Sequence, residues 1–159
     1  MQAITAFSGK NSFLSNFYPA EVNIFDLSFP TAEHAFVAAK TDCQETREFI
    51  STIETPGKAK RYGRKMRLRE HWEILKVTEM SAILTLKFHG NEDAGDKLIA
   101  TGDAQLIEGN RWNDRFWGQC PIGTGENMLG ILLMVVRSNL VAAGAFAGDK
   151  DMQNAMDIF

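Results

Sequence analysis

Cysteine and histidine are scarce in this 159-residue sequence, and their spacing excludes common metal and redox sites. Cys43 and Cys120 form no metal-binding or redox spacing, and we predict that both are reduced thiols. The three histidines, His34, His71 and His89, include no i, i+4 pair and have no cysteine at ligand spacing. The sequence therefore predicts no metal site.

Motifs that mark several common enzyme folds are also missing. No Gly-x-Ser-x-Gly elbow occurs, which argues against a Ser-His-Asp hydrolase. No Gly-x-Gly-x-x-Gly motif follows a predicted strand and no Walker loop is present, so ordinary dinucleotide and P-loop folds are unsupported. Gly123-Thr124-Gly125, before the last predicted helix, is a weak signal for a phosphate site. We predict that the protein uses no cofactor.

Long apolar runs are absent as well. The richest run, Met128 to Val136, is far shorter than the roughly 18 residues that a membrane span requires. Met1 to Gly9 has no basic region followed by an apolar core, so no secretory signal is expected. We therefore predict a cytoplasmic protein that makes no membrane contact.

Charge is distributed unevenly along the chain. The composition, 45% hydrophobic and 23% charged, suits one compact domain, and the net charge of −3 gives no general case for binding nucleic acid. Residues 55–89 nevertheless contain nine Lys or Arg and three acids, whereas the remainder contains eight and seventeen. A local basic site on an acidic protein favours a small anionic ligand or one phosphate group.

Residue patterns predict a chain dominated by helices. The longest helical pattern runs from Arg69 to Phe88, and its wide apolar band predicts a helix central to the core. Further helices are predicted over residues 31–40, 43–51, 93–100 and 126–140 and after Thr55-Pro56, with strands over residues 3–7, 22–29 and 104–108. Residues 109–125 are predicted to form a structured aromatic loop. We place one domain at residues 1–140 and a loosely docked tail at 141–159.

The predicted helix at residues 31–40 carries two reactive side chains. Thr31 is a suitable N-cap, and small or aromatic residues recur at i, i+3, i+4 and i+7, so one face must be buried. Glu33 and Lys40 lie seven residues apart, which places them on one face about 10 Å apart along the axis. A bound sugar would fit between them. A purely structural alternative is that both side chains only complement the helix dipole.

Polar residues in aromatic or glycine-rich surroundings are the other candidates for a site. The basic residues at 58–69 suit either a phosphate or a solvated helix face. The aromatic side chains suit either stacking on a base or filling the core. The polar candidates are Asn16, Glu33, Lys40, Glu108, Asp114 and Asn127, and the aromatic ones are Phe17, Tyr18, Trp112 and Trp117.

Several motifs in order resemble one known family over about residues 7–138. They include Phe13-Leu14-Ser15-Asn16-Phe17-Tyr18-Pro19, Phe29-Pro30-Thr31-Ala32-Glu33-His34-Ala35-Phe36, Pro56-Gly57-Lys58-Ala59-Lys60, Leu106-Ile107-Glu108, Phe116-Trp117-Gly118 and Gly123-x-Gly125-x-Asn127. The chain resembles the NADAR superfamily of YbiA-like N-glycosidases. The resemblance implies a single compact, helix-rich α+β domain with a small β-sheet. It also implies cleavage of the N-glycosidic bond of phosphorylated ribosides, either ribosylamino-pyrimidine phosphates of the riboflavin pathway or ADP-ribosylated guanine in nucleic acid.

The residues and the resemblance together predict the site. We expect Glu33 to stabilise positive charge on the sugar and activate water, and Lys40 to bond to C1′ as a Schiff base. Asp114 is the third predicted catalytic residue, and either Asp114 or Glu108 protonates the leaving base. Where family members often have glutamine, this chain has Val37, so one polar contact is not expected here. The predicted substrate-binding residues are Asn16, Phe17, Tyr18, His34, Lys58, Arg64, Arg69, Glu108, Trp112, Trp117, Gly118, Gly125 and Asn127.

Two other classes of function compete with the enzyme. A catalytically silent ADP-ribose or nucleotide reader would use the same pocket, although a binder gains little from Glu33 beside an anionic ligand. A nucleic-acid-binding protein would use the basic segment, although the acidic remainder opposes it. The expected partner is a phosphorylated riboside or ADP-ribosylated guanine, with at most transient contact to nucleic acid, and the oligomeric state stays open.

Overall fold

Helices form most of the fold. The computed structural model describes residues 2–156, with side chains described through Gly144. A 3-10 helix spans Gly9–Leu14, in a segment for which the sequence predicted no helix. The α-helices are α1 (Ala32–Ala39), α2 (Gln44–Ser51), α3 (Pro56–Gly63), α4 (Trp72–Gly90), α5 (Glu92–Ile99) and α6 (Met128–Met156).

The strands are shorter than the sequence predicts and form two ladders. Strand β1 (Ala3–Ile4) pairs in parallel with β4 (Gln105–Leu106), and β2 (Val22–Ile24) pairs antiparallel with β3 (Leu27–Phe29). The expected single strand at 22–29 is instead a hairpin, because Phe25 and Asp26 both have φ of 58° and form a tight turn. The helix-rich α+β class is confirmed, but the small sheet is divided in two.

Helix α1 lies in the centre of the fold. All eight of its residues are buried, and it packs against α2, α3 and α4. Its start is as predicted, since the Thr31 hydroxyl accepts a hydrogen bond from the backbone N–H of His34 (3.3 Å). The sequence predicted burial of one face of this helix, whereas the structure buries residues on every face. Any polar side chain on α1 is consequently removed from water unless a cavity reaches it.

Helix α3 approaches α1 closely where Gly63 faces Val37. A Cβ atom on Gly63 would lie 2.9 Å from Val37 Cγ1 and 3.5 Å from Lys40 Nζ. Glycine is therefore what lets the two helices meet here. Val37 is fully buried in this contact, so its position contributes to helix packing. The close approach brings the basic side chains of α3 beside α1.

The two long helices differ from their predicted forms. Helix α4 begins at Trp72 rather than Arg69, and Ile74 on it is 76% exposed, so the wide apolar band is only partly buried. Helix α6 continues to Met156, past the predicted end at Leu140. Residues 157–159 lie outside the described part of the chain, and the loose docking of 141–159 stays a prediction.

Candidate active site

One cavity collects most of the predicted site residues. It has a volume of about 280 Å³ and is bounded by α1, α3, α4, α6, the segment after the 3-10 helix and the 107–127 loop. Nine predicted residues line it: Asn16, Phe17, Glu33, Lys40, Arg64, Glu108, Trp112, Asp114 and Trp117. The others that line it are Ser15, Phe36, Lys60, Met80 and Leu129.

Glu33 is a buried carboxylate in the first turn of α1. Its side chain lines the cavity, its residue is 7% exposed, and its backbone N–H donates to the Asn16 carbonyl (2.9 Å). Among the described side chains, no basic group lies within 4.0 Å of the carboxylate. Burial raises the pKa of Glu33, and Lys60, Lys40 and Arg64 oppose that rise from a distance. The Glu33 carboxylate is therefore free to contact positive charge on a bound ligand.

Lys40 caps the other end of α1 and faces the same cavity. Its Nζ lies 5.7 Å from the centre of the Phe36 ring. Burial lowers the pKa of Lys40, and Glu33 opposes this while Lys60 and Arg64 add to it. The uncharged fraction of the Lys40 amine near neutral pH is therefore larger than that of a lysine in water. The uncharged amine is the form that attacks carbon.

Two acids from the 107–127 loop complete the acidic side of the site. Asn127 and Gln119 fix the backbone of Glu108: Asn127 Oδ1 accepts from its N–H (3.0 Å), and the Gln119 N–H donates to its carbonyl (2.9 Å). Burial raises the pKa of Glu108 to about 7. The negative charges of Asp114 and, to a smaller extent, Glu33 also raise this pKa, whereas the positive charge of Lys60 lowers it. Glu108 therefore titrates close to neutral pH.

Asp114 is held by the backbone around it. Its Oδ1 accepts from the N–H groups of Phe116 (3.1 Å) and Trp117 (2.9 Å). The buried Asn110 side chain binds both the N–H and the carbonyl of Asp114 (2.9 and 2.8 Å). Because two N–H donors share one oxygen, this side chain is fitted to act as a charged acceptor.

Two cations from α3 line the cavity. Lys60 and Arg64 lie four residues apart, so they share a face of the helix and its end. Lys60 Nζ is 5.6 Å from the centre of the Phe17 ring. The sequence predicts Lys58, Arg64 and Arg69 as basic site residues, but it does not predict Lys60, which the structure places in the cavity lining. Because Lys60 lies four residues before Arg64, helical spacing would have predicted that the two side chains share a face.

Aromatic and amide side chains shape the rest of the cavity. Phe17 and Trp112 are 40% and 66% exposed, so they form an open edge, whereas Trp117 packs edge-on against Phe36 with ring centres 5.4 Å apart. Asn16 donates through Nδ2 to Met80 Sδ (3.5 Å), and its Oδ1 has no hydrogen-bond partner among the described residues. That buried oxygen is an acceptor whose hydrogen bond is not made within the described residues.

Seven predicted binding residues lie outside the cavity lining. His34 is fully buried, and its ring bonds to the Thr31 hydroxyl (2.8 Å) and the Ile53 carbonyl (2.9 Å). Burial lowers the pKa of His34, so the neutral ring acts as a structural bridge. Lys58 forms a surface ion pair with Glu54.

Tyr18, Gly118, Gly125 and Asn127 also serve the fold in this structure. Tyr18 packs against the core. A Cβ on Gly118 would lie 2.3 Å from the Glu108 carbonyl oxygen, and Gly125 has φ of 144°, so only glycine suits either position. Asn127 bonds to the Leu106 carbonyl through Nδ2 (2.8 Å) as well as to Glu108. Gly118, Gly125 and Asn127 thus position the loop that carries Glu108, and none of the four residues lines the cavity.

Arg69 is committed to ion pairs instead of facing the cavity. Its guanidinium binds Asp42 (3.2 Å) and Glu79, and its side chain is only 12% exposed. Asp42, three residues before Glu45, predicts a capping box at the start of α2. Asp42 instead bonds to arginines, and the N-cap is Cys43, which makes no side-chain cap bond. Tertiary pairing has overridden both local expectations.

Arg69→Ala is therefore expected to destabilise the protein by about 1–3 kcal/mol, because it leaves the partly buried Glu79 without its charged partner. The KM for substrate should stay within about twofold of wild type once folding is complete. Denaturant unfolding measures the first effect, and Arg67→Ala, at an exposed position with no ion pair among the described residues, is the matched control. A raised KM with unchanged stability would contradict this assignment.

Metal-binding clusters and membrane-spanning helices are both absent from the described residues, 2–156. Within them, no three His, Cys, Asp or Glu side chains are grouped to hold a metal ion, and no helix is long and apolar enough to cross a membrane. Cys43 and Cys120 are both free.

The structure is a helix-rich α+β fold whose cavity is lined by acidic, basic and aromatic side chains. Comparison with known proteins agrees: the NADAR domain family model matches residues 6–141. The solution structure of the Escherichia coli protein YbiA matches with a TM-score of 0.80 at 34% identity, covering 91% of this chain and 89% of that one.

Curated relatives give the class of enzyme. The N-glycosidase YbiA of E. coli is 37% identical over 128 residues, 79% of each chain. A riboflavin biosynthesis protein of Vibrio vulnificus is 35% identical over 132 residues, which is 82% of this chain but only 36% of that protein. This chain belongs to the NADAR domain family. Its similarity to these relatives assigns it to the N-glycosidases, a class of hydrolytic enzyme.

Proposed function

We propose that the protein hydrolyses the bond between ribose C1′ and a nitrogenous base in a phosphorylated riboside. The observation that carries the proposal is the placement of Glu33 and Lys40 at opposite ends of one buried helix, with both side chains in one cavity. A carboxylate offsets positive charge at a sugar carbon, and a desolvated amine is a nucleophile for it. Lys60 and Arg64 add the positive charge that a 5′-phosphate requires.

The order of bond changes follows from these groups. The uncharged Lys40 amine bonds to C1′, the C1′–N bond breaks, and its electron pair leaves with the base nitrogen, which takes up a proton. The amine then expels the ring oxygen, which takes up the proton still bound to Nζ, and a Schiff base remains between Nζ and C1′. Water adds to C1′ as Glu33 takes up its proton, and both protons of this water then pass to Nζ. The lysine departs as a neutral amine, Glu33 is again a carboxylate, and the sugar is freed as an aldehyde.

Two substrate classes share this bond. The names of the Vibrio relative and of a maize relative, both riboflavin biosynthesis proteins, favour ribosylamino-pyrimidine phosphates. ADP-ribosylated guanine carries the same C1′–N bond, and the open edge formed by Phe17 and Trp112 leaves room for a larger group. Both belong to the proposal, with the enzyme acting in the cytoplasm.

A direct assay tests the proposal. Purified protein is incubated separately with ribosylamino-pyrimidine phosphate and with ADP-ribosylated guanosine, and free base is measured by mass spectrometry. We expect release from at least one of them. Binding of either compound without any release would favour the non-catalytic reader. Strong, salt-dependent binding to unmodified DNA without release would favour the nucleic-acid-binding alternative.

Arg64→Ala is expected to raise KM about tenfold for phosphorylated ribosides while kcat stays within about twofold, because the lost contact is to the phosphate in ground and transition states alike. Arg61→Ala is the matched control, since Arg61 is exposed on the same helix and does not line the cavity. Steady-state kinetics on phosphorylated and dephosphorylated substrate measure the effect. If the wild type has the same KM for the phosphorylated and the dephosphorylated substrate, the phosphate does not bind at this site.

A further inference from the structure

The two loop acids differ in what their carboxyl groups contact. Asp114 receives two backbone N–H donors on one oxygen. The Glu108 carboxyl makes no hydrogen bond or ion pair within the part of the chain whose side chains are described, although its backbone is fixed on both sides. One acid is thus committed to the protein as an acceptor, and the other is free to act on a ligand.

The surroundings of Glu108 favour its protonated form. The charged groups that line the cavity with it are Asp114 from its own loop, Lys60 and Arg64 from α3, and Glu33 and Lys40 from α1. Three of them act on the pKa of Glu108: Asp114, Lys60 and Glu33. Two of the three are acids, and the residue lies in a cavity that partly excludes water. A carboxyl group between anions in a low-dielectric site retains its proton more easily than one in water.

We propose that Glu108 is the general acid that protonates the departing base nitrogen, and that Asp114 is the fixed anion that keeps Glu108 protonated. This assignment rests on the proposed N-glycosidase function, and it chooses between two acids that the sequence leaves as alternatives for protonating the leaving base. Glu108 is a catalytic residue in this scheme, whereas Asp114 is a positioning residue that acts through it.

The proton balance of the step is complete without an added reagent. The proton leaves the Glu108 carboxyl and bonds to the nitrogen as that nitrogen receives the electron pair of the breaking C1′–N bond. Glu108 is left as a carboxylate. The Lys40 nitrogen carries one proton in excess once it has bonded to C1′, and that proton returns to Glu108 directly or through water. The acid is then ready for another turnover.

The decisive test compares Glu108→Gln with wild type on the substrate that the wild type cleaves. The kcat of Glu108→Gln should fall about 100- to 1,000-fold, and the alkaline limb of kcat/KM, expected near pH 7 in wild type, should disappear. Asp114→Asn, which retains the acceptor oxygen, should shift that limb to lower pH. An alkaline limb that persists in Glu108→Gln with kcat within threefold overturns the proposal.

A second substrate separates proton donation from simple positioning. Nicotinamide riboside 5′-phosphate has the same C1′–N bond, but its base departs as a neutral molecule that needs no proton. If wild type cleaves it, Glu108→Gln should retain activity within about threefold on this compound. An equal loss on both substrates would make Glu108 a positioning residue and contradict the proposal. If wild type does not cleave it, the pH limb alone decides.

Controls keep folding and the parent function apart from this inference. Glu108→Asp retains an acid, so it should keep the alkaline limb at reduced kcat even if it binds substrate less well. Glu92→Gln removes an exposed carboxylate of α5 and should change neither readout. Release of no base by the wild type from any riboside would refute the proposed function itself, an outcome distinct from an active enzyme that ignores Glu108→Gln.

Discussion

Glu33→Gln is expected to lower base release about 1,000-fold or more while the protein remains folded. Glutamine keeps the volume of the side chain but carries no negative charge. It can neither offset positive charge at C1′ nor accept a proton from water. Because the wild-type carboxylate has no ion-pair partner within 4.0 Å among the described side chains, the substitution breaks no salt bridge.

Stability should move in the opposite direction from activity in this variant. Burial penalises the Glu33 carboxylate, as its raised pKa indicates, so a neutral amide removes an electrostatic cost. We expect a melting temperature equal to or above that of wild type. Thermal unfolding and a mass-spectrometric assay on one preparation measure both effects. A well-folded Glu33→Gln enzyme with more than one tenth of wild-type activity would exclude a catalytic carboxylate here.

The two ends of α1 show what sequence reasoning can reach. Thr31 begins the helix as predicted, because an N-cap bond is local and requires only the residue and its neighbours. The seven-residue spacing likewise placed Glu33 and Lys40 on one side, and the structure brings both to one cavity. Complete burial of the helix was not predictable, since it depends on three other helices packing around it.

Other features depended on partners distant in the chain. Arg69 looks like its basic neighbours in the sequence, and only the tertiary fold shows that Asp42 and Glu79 neutralise it. Lys87 is a fully buried lysine on α4 that donates to the Phe13 and Ser15 carbonyls (2.7 and 2.8 Å), a role that no helical pattern indicates. Both lysine and arginine are identified by sequence as charges, whereas their partners are set by packing.

The separation of Glu108 from Asp114 illustrates the same limit within the site. Both residues are acidic, both lie in the 107–127 loop, and sequence alone could not decide which of them protonates the leaving base. Their difference comes from hydrogen bonds to the backbone, which fix Asp114 and leave the Glu108 carboxyl free. A chemical role that depends on such hydrogen bonds can be assigned only from the folded structure.

Lys40→Ala is expected to abolish base release, with a loss of at least about 1,000-fold, and also to remove a trappable adduct. Reduction of a Schiff base by borohydride leaves a stable secondary amine between Nζ and the former C1′. Wild-type enzyme treated with substrate and borohydride should therefore gain the mass of the reduced sugar phosphate on the peptide that contains Lys40. Lys97→Ala, which alters an exposed lysine of α5, should retain both the activity and the adduct.

The Lys40 variants also distinguish a covalent role from an electrostatic one. Lys40→Arg keeps a positive charge at the end of α1, but a guanidinium does not form the Schiff base. A covalent mechanism predicts that Lys40→Arg is as inactive as Lys40→Ala, whereas an electrostatic role predicts partial rescue by arginine. Because burial already penalises the Lys40 cation, Lys40→Ala should fold at least as stably as wild type. Full activity in that folded variant, with no adduct in wild type, would remove the covalent route and leave Glu33 to direct water at C1′ alone.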